Sequence, residues 1–302
     1  MNITKRIDEL KKDTNSIILA HNYQLPEIQD IADYIGDSLD LAIKARSSNS
    51  ENIIFCGVKF MAESAKILNP EKNVIIPDIE AKCPMAEKVD VDLLKNLIDE
   101  NIDSKVVSYI NTTAEVKAIS DICCTSSNGV NVINSLKSKN IIFVPDKNLG
   151  NFLKERVKDK NFIIWPGICP THNRIHKKII EDLKHNNEDA VILVHPECRP
   201  EVINISDYAL STNGMVNFVK NSKSKKFIIG TEKDLCYRLK KENPDKEFIS
   251  INSAICPNMK KITIDKVINS LIRNEPKIII DNEIMIKAKI PLERMMKIKR
   301  GD

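Results

Sequence analysis

The chain has 302 residues, 42% of them hydrophobic and 29% charged, with a formal net charge of +4. That length supports two or three ordinary domains or one large one, and the balance is that of a globular protein. So small a charge leaves no footprint for nucleic acid, and no apolar run approaches the roughly 18 to 20 residues a membrane helix needs.

The opening segment MNITKRIDELKKD lacks the apolar core of a secretory signal, so the expected location is cytoplasmic. Eight cysteines in a reducing compartment are then buried side chains or metal ligands, not a disulfide framework. From Ile17, IILAH is a β-branched apolar run that ends in polar residues, as a buried parallel strand does. PEIQDIADYI follows as a helix with an acidic first turn, and a second helix starts at Ser38. IIFC is the next strand, KFMAESAKIL a third helix, and VIIP a third strand leading to Cys83 and Pro84.

This order recurs twice. With His21 set over Tyr109 and His195, the same offsets align Tyr23, Asn111 and Glu197 without gaps. They also align Glu27, Glu115 and Glu201; Asp33, Asp121 and Asp207; and Ser38, Ser126 and Thr212. Lys59, Lys147 and Lys233 correspond, and each unit closes on a Cys-Pro step: Cys83, Cys169, Cys256. Strands alternating with helices in three copies predict three analogous three-layer α/β domains with small parallel sheets. The expected units are 1–86, 87–172 and 173–274, with a tail at 275–302 that folds back onto the first as a strand and a helix.

Ligands of open parallel sheets bind beyond the carboxyl ends of the strands. The triplicated polar residues belong there, and helix starts at Ser38, Ser126 and Thr212 favour anions. Under an approximate threefold axis the three cysteines meet at one metal centre. Without a CxxC pair they do not resemble a zinc ribbon, and without a tight cysteine run they do not resemble a ferredoxin. One thiolate per domain suits a 4Fe–4S cluster with one iron free of protein, an open Lewis acid.

HNYQ, SYINTTAEVKA, CTSSN, FVPDKNLG, WPGICPTH, HPEC, STNGM and GTE, in this order, resemble the quinolinate synthase family, from about residue 15 to 298. The resemblance implies three α/β domains around a 4Fe–4S cluster held by Cys83, Cys169 and Cys256. It implies condensation of iminoaspartate with dihydroxyacetone phosphate to quinolinate, for NAD synthesis. The implied substrate contacts are His21, Ser38, Tyr109, Asn111, Ser126, His195, Glu197 and Thr212, with Ile110 and Pro196 beside them. Glu197, His195, Tyr23 and His21 are the expected acid–base groups. An aspartate oxidase or dehydrogenase is the implied functional partner that supplies iminoaspartate. The competing readings are another 4Fe–4S hydro-lyase acting on a small carboxylate, and an electron or cluster carrier.

The other residues carry plainer expectations. Cys56, Cys123, Cys124, Cys198 and Cys236 read as structural, and His176 and His185 as surface residues. His172 is expected to line the site or support it, and Glu232 to stand behind it. The three repeated lysines read as solvated or as phosphate contacts, and the three repeated aspartates as packing residues.

Overall fold

Residues 3–301 are described by a computed structural model of the chain. The first sheet contains β1 (Ser16–His21), β2 (Tyr34–Gly36), β3 (Asn52–Cys56) and β4 (Asn73–Ile75). The second contains β5 (Ser104–Tyr109), β6 (Ile122–Cys124), β7 (Asn140–Val144) and β8 (Asn161–Ile164). The third contains β9 (Val191–Val194), β10 (Tyr208–Ala209), β11 (Lys226–Gly230) and β12 (Glu247–Ser250). The orders β2-β1-β3-β4, β6-β5-β7-β8 and β10-β9-β11-β12 are the same, and all strand pairs are parallel. The class is therefore α/β, in three small parallel sheets. Residues of all three sheets, such as Ile18, Phe143 and Phe227, belong to one buried apolar cluster. Among the described residues no helix is long and apolar enough to cross a membrane.

Each sheet has one strand more than the pattern predicts. β2, β6 and β10 are two or three residues long, too short to show periodicity. The repeated aspartates explain them. The carboxylates of Asp33, Asp121 and Asp207 accept the N–H of Ile18, Val106 and Ile192 at 2.8, 2.8 and 2.7 Å. The backbone N–H of each aspartate donates to the carbonyl of the same strand residue. Each aspartate thus starts an added strand and satisfies an edge N–H that has no ladder partner. Asp121→Ala should cost about 1–3 kcal/mol in urea unfolding, the cost of orphaning the buried Val106 N–H. A loss under about 0.5 kcal/mol would show that water replaces the carboxylate.

The cysteines do not end the third predicted strand. A loop follows β4, β8 and β12, and Cys83 and Cys169 then cap one-turn helices that begin at Pro84 and Pro170. The proline's missing N–H costs nothing at that position. The loops are tied back identically: Lys59, Lys147 and Lys233 donate their N–H to the carbonyls of Ala81, Gly167 and Ala254. Gly167 is required there, because a Cβ would lie 2.4 Å from the Pro145 carbonyl oxygen.

The tail joins more than one unit. Lys277 bridges Ile75 antiparallel at the edge of β4, with Ile278 N–H donating to the Val74 carbonyl at 2.8 Å. The helix Asn282–Met296 then packs on Ala114–Ala118 and β6 of the second unit and on Lys59–Leu68 of the first. Beyond it, Gly301 N–H donates to the Ser127 carbonyl at 2.7 Å, and Arg300 pairs with Asp37 and Asp40.

Candidate active site

The carboxyl ends of the three sheets converge on a cavity of about 210 Å³. The first unit lines it with His21, Tyr23, Ser38 and Cys83. The second gives the aligned Tyr109, Asn111, Ser126 and Cys169, and the third gives His195, Glu197, Thr212 and Cys256. Ile110 and Pro196 are buried but do not line it. The lysines Lys59, Lys147 and Lys233 do not line it either, and Lys59 pairs with Glu63 at 3.3 Å.

The repeat sets the imidazoles. His21 accepts on Nδ1 the backbone N–H of Tyr23 at 3.2 Å, while His195 Nδ1 lies 3.2 Å from the backbone nitrogen of Glu197 and faces that residue's carboxylate as well. The accepting Nδ1 of His21 leaves its proton on Nε2, as a donor. Burial, and then His195, lowers the pKa of His21 to about 3, so it is neutral at physiological pH. Its unfolded form takes up a proton near pH 6.5, while the folded form stays neutral down to about 3. Stability should therefore fall as pH drops through this window, by about 2 kcal/mol between pH 6.5 and about pH 5. In urea titrations at several pH values, His21→Asn should flatten that slope; parallel slopes would refute this account.

A buried polar chain runs along the cavity wall. Tyr23 Oη lies 2.5 Å from Thr231 Oγ1, which lies 2.8 Å from His172 Nε2. His172 Nδ1 lies 3.1 Å from Glu197 Oε2, and His195 Nδ1 lies 3.2 Å from the same oxygen. Burial raises the Glu197 pKa, but the His172 and His195 imidazoles override it and hold the carboxyl well below its usual range. Burial raises the pKa of both Tyr23 and Tyr109, so each stays a phenol donor. Glu197 Oε1 and Asn111 Oδ1 are buried without a protein partner. Two orphaned acceptors on one cavity are the signature of groups that meet a ligand.

The helix starts differ from the expectation. Asp37 and Ser211, not Ser38 and Thr212, cap the helices Ser38–Ser47 and Thr212–Asn221. Ser126 precedes the cap Asn128 of Gly129–Ser135. Because the preceding residues serve as caps, Ser38 and Thr212 are released from capping and line the cavity, where Thr212 Oγ1 accepts from Asn22 at 2.9 Å.

All eight cysteines are unpaired. Burial pushes the ligand candidates up, Cys83 to about 12, with Cys169 and Cys256 also above the free thiol. Such thiols ionise only when a cation sits among them, which is how metal and thiolate bind together. Cys83 and Cys169, like Cys83 and Cys256, are close enough to affect each other's ionisation. Three thiols from three units therefore fit a cluster. Cys169, His172 and Glu197 also place ligand atoms within 4.8 Å of one another, a set able to bind a metal ion.

Comparison with known proteins gives the family. The family described as Quinolinate synthetase A protein (NadA) matches residues 5–297. Quinolinate synthase of Thermodesulfovibrio yellowstonii is 51% identical over 288 residues, covering 95% of each chain. That of Clostridium perfringens (strain ATCC 13124) is 49% identical over 299 residues, covering 99% of each. That of Geobacter sp. (strain M21) is 48% identical over 295 residues, covering 97% of each. The chain belongs to the quinolinate synthase family.

In this quinolinate synthase family chain, several residues at or next to the cavity escaped the sequence reading. Thr231 stands inside the quoted GTE, yet its link to Tyr23 and His172 spans three units and leaves no local signal. Arg174 also lines the cavity, the one arginine or lysine to do so among the described residues, and its side chain is exposed. Asp37 lines it and is held by Arg300. Cys56, Cys123, Cys124 and Cys198 are buried, Cys236 is half-buried, and none lines the cavity. His176 and His185 are exposed. Thr231→Val keeps the shape and removes the hydroxyl between phenol and imidazole, so kcat should fall at least tenfold while Thr231→Ser retains most activity. Equal rates for threonine, serine and valine would exclude a hydroxyl link.

Proposed function

We propose that the protein is a quinolinate synthase, a transferase that condenses iminoaspartate with dihydroxyacetone phosphate. The products are quinolinate, one phosphate and two waters, and the pathway is NAD biosynthesis. One observation carries the reading: three repeat-related cysteines share a cavity with Tyr23, His172, Glu197 and His195, the first two linked through Thr231. Family membership supports it.

Cys83, Cys169 and Cys256 would hold a 4Fe–4S cluster, which supplies an iron without a protein ligand as a Lewis acid for a substrate hydroxyl, carboxylate or amine. The protein's own part is binding and proton transfer. Ser38, Ser126 and Thr212 offer hydroxyls to carboxylate and phosphate oxygens, and Arg174 meets the anions at the exposed rim. Asn111 Oδ1 accepts an N–H from the substrate nitrogen. Glu197 Oε1 faces the reacting carbons as the receiving oxygen. Its other oxygen shares protons with His172 and His195, so the base is the coupled set rather than the carboxylate alone. Tyr23, kept protonated, gives a proton to a departing hydroxyl and is recharged through Thr231 and His172. His21, neutral, donates from Nε2. The proposed location is the cytoplasm, whose reducing conditions suit eight free thiols. The proposed supplier of iminoaspartate is an aspartate oxidase or dehydrogenase.

The test is an anaerobic product assay. Protein reconstituted with iron and sulfide is given freshly generated iminoaspartate and dihydroxyacetone phosphate, and quinolinate is sought by mass. Quinolinate that requires both reactants establishes the reaction. A fully loaded protein that makes none would move the assignment to a hydro-lyase acting on a small carboxylate.

A further inference from the structure

The residue before each repeated lysine is Val58, Asp146 or Glu232. In two units this position carries a carboxylate, and both carboxylates do the same thing. Asp146 Oδ2 accepts the Cys169 N–H at 3.0 Å, and its Oδ1 accepts the Leu149 N–H at 2.7 Å. Glu232 Oε1 accepts the Cys256 N–H at 3.3 Å, and its Oε2 accepts the Asp234 N–H at 2.9 Å. Each carboxylate is fully buried, and each bridges a cysteine loop to the start of the helix that follows the third strand of its unit. Two side chains of different length reach one geometry, so the geometry, not the residue type, is what the repeat keeps. In the first unit Val58 offers no acceptor to Cys83.

Both bridges also touch the acid–base chain. Asn148, in the helix capped by Asp146, donates to the Glu197 carbonyl at 3.0 Å. Lys260 lies 2.9 Å from Glu232 Oε1 and donates to the Tyr23 carbonyl at 2.6 Å. A shift of either cysteine loop would be passed to Glu197 or Tyr23.

We propose that Asp146 and Glu232 are positioning residues that fix the Cys169 and Cys256 backbones, so that two of the three thiols are aimed before any metal binds. The proposal rests on the cluster reading above. Partners behind metal ligands typically change metal affinity about 10–100-fold when replaced. An amide has one acceptor oxygen, so Asp146→Asn satisfies one N–H and turns an NH₂ donor against the other. Glu232→Gln does the same in the third unit.

The experiment measures iron release. Wild type, Asp146→Asn and Glu232→Gln are reconstituted anaerobically, freed of excess iron, and challenged with a coloured iron chelator. Urea unfolding of the cluster-free proteins is followed in parallel. The expected result is iron release about tenfold faster in each variant, with cluster-free stability changed much less than release. Release within about twofold of wild type in either folded variant would overturn the proposal. So would a loss of cluster-free folding in both, which would make the carboxylates plain structural caps. If the wild type itself takes up no iron and sulfide, the cluster reading fails first. A loaded wild type with unchanged variants defeats the positioning inference alone.

Discussion

Cys169→Ala is expected to lower quinolinate formation by about 10³-fold or more, because the Lewis acid it helps hold is worth several kcal/mol. The loss should come with reduced iron and sulfide after reconstitution and with an intact fold. The cavity geometry is the reason. Each of the three thiols comes from a different unit, so removal of Cys169 leaves Cys83 and Cys256 as two ligand candidates where the cavity offers three. Cys169 Sγ also lies 3.2 Å from His172 Nδ1, so its removal loosens the imidazole that faces Glu197. Cys236→Ala, at a half-buried helix position off the cavity, is the matched control and should load and turn over normally. Near-normal product from Cys169→Ala would show that the thiol is not a ligand.

Glu197→Gln should lower kcat by about 10²–10⁴-fold, the usual share of a general acid–base group, with cluster content unchanged. The amide keeps the size of the side chain but cannot take a proton, and its NH₂ can oppose one of the imidazoles that now face the carboxylate. The variant should also change acid stability. In the native protein the carboxyl is held below its ordinary value of 4.5 by His172 and His195, after burial has raised it. The unfolded state therefore binds a proton before the folded state does, and this contribution to stability is lost as pH falls below about 4.5. Urea unfolding of the glutamine variant should be flatter with pH in that range. Unchanged kcat would remove Glu197 from the proton path.

The triplication was legible because it depends on register, and His21, Tyr109 and His195 keep theirs without gaps. That register placed nine side chains, and the Cys-Pro step that closes each unit placed three more, all of which the structure brings to one cavity. The parts that were not legible share a physical cause. β2, β6 and β10 are too short to be periodic, and they exist through a carboxylate 15 residues away from the N–H it grips. The true caps, Asp37 and Ser211, stand one residue before the hydroxyls that a capping pattern favours, and either choice reads equally well in the chain. Thr231 and His172 acquire their partners only when units one, two and three meet, so no window of sequence contains the interaction. The bridging role of Asp146, and of the Glu232 expected to stand behind the site, was hidden for a related reason. Their repeat partner is Val58, and the break in the pattern masked the agreement between the other two.

The pairing of Arg300 with Asp37 and Asp40 has a consequence for biosynthesis. Asp37 lines the cavity beside His21, and the Arg300 that holds it leaves the ribosome nearly a whole chain later. The first unit emerges with the Cys83 thiol alone. The second adds Cys169, and no threefold set exists until Cys256 has emerged and its loop has closed. A group that bridges all three thiols must therefore be fitted after translation has passed the third unit. Until then the cell holds a chain whose candidate ligand thiols have emerged one at a time.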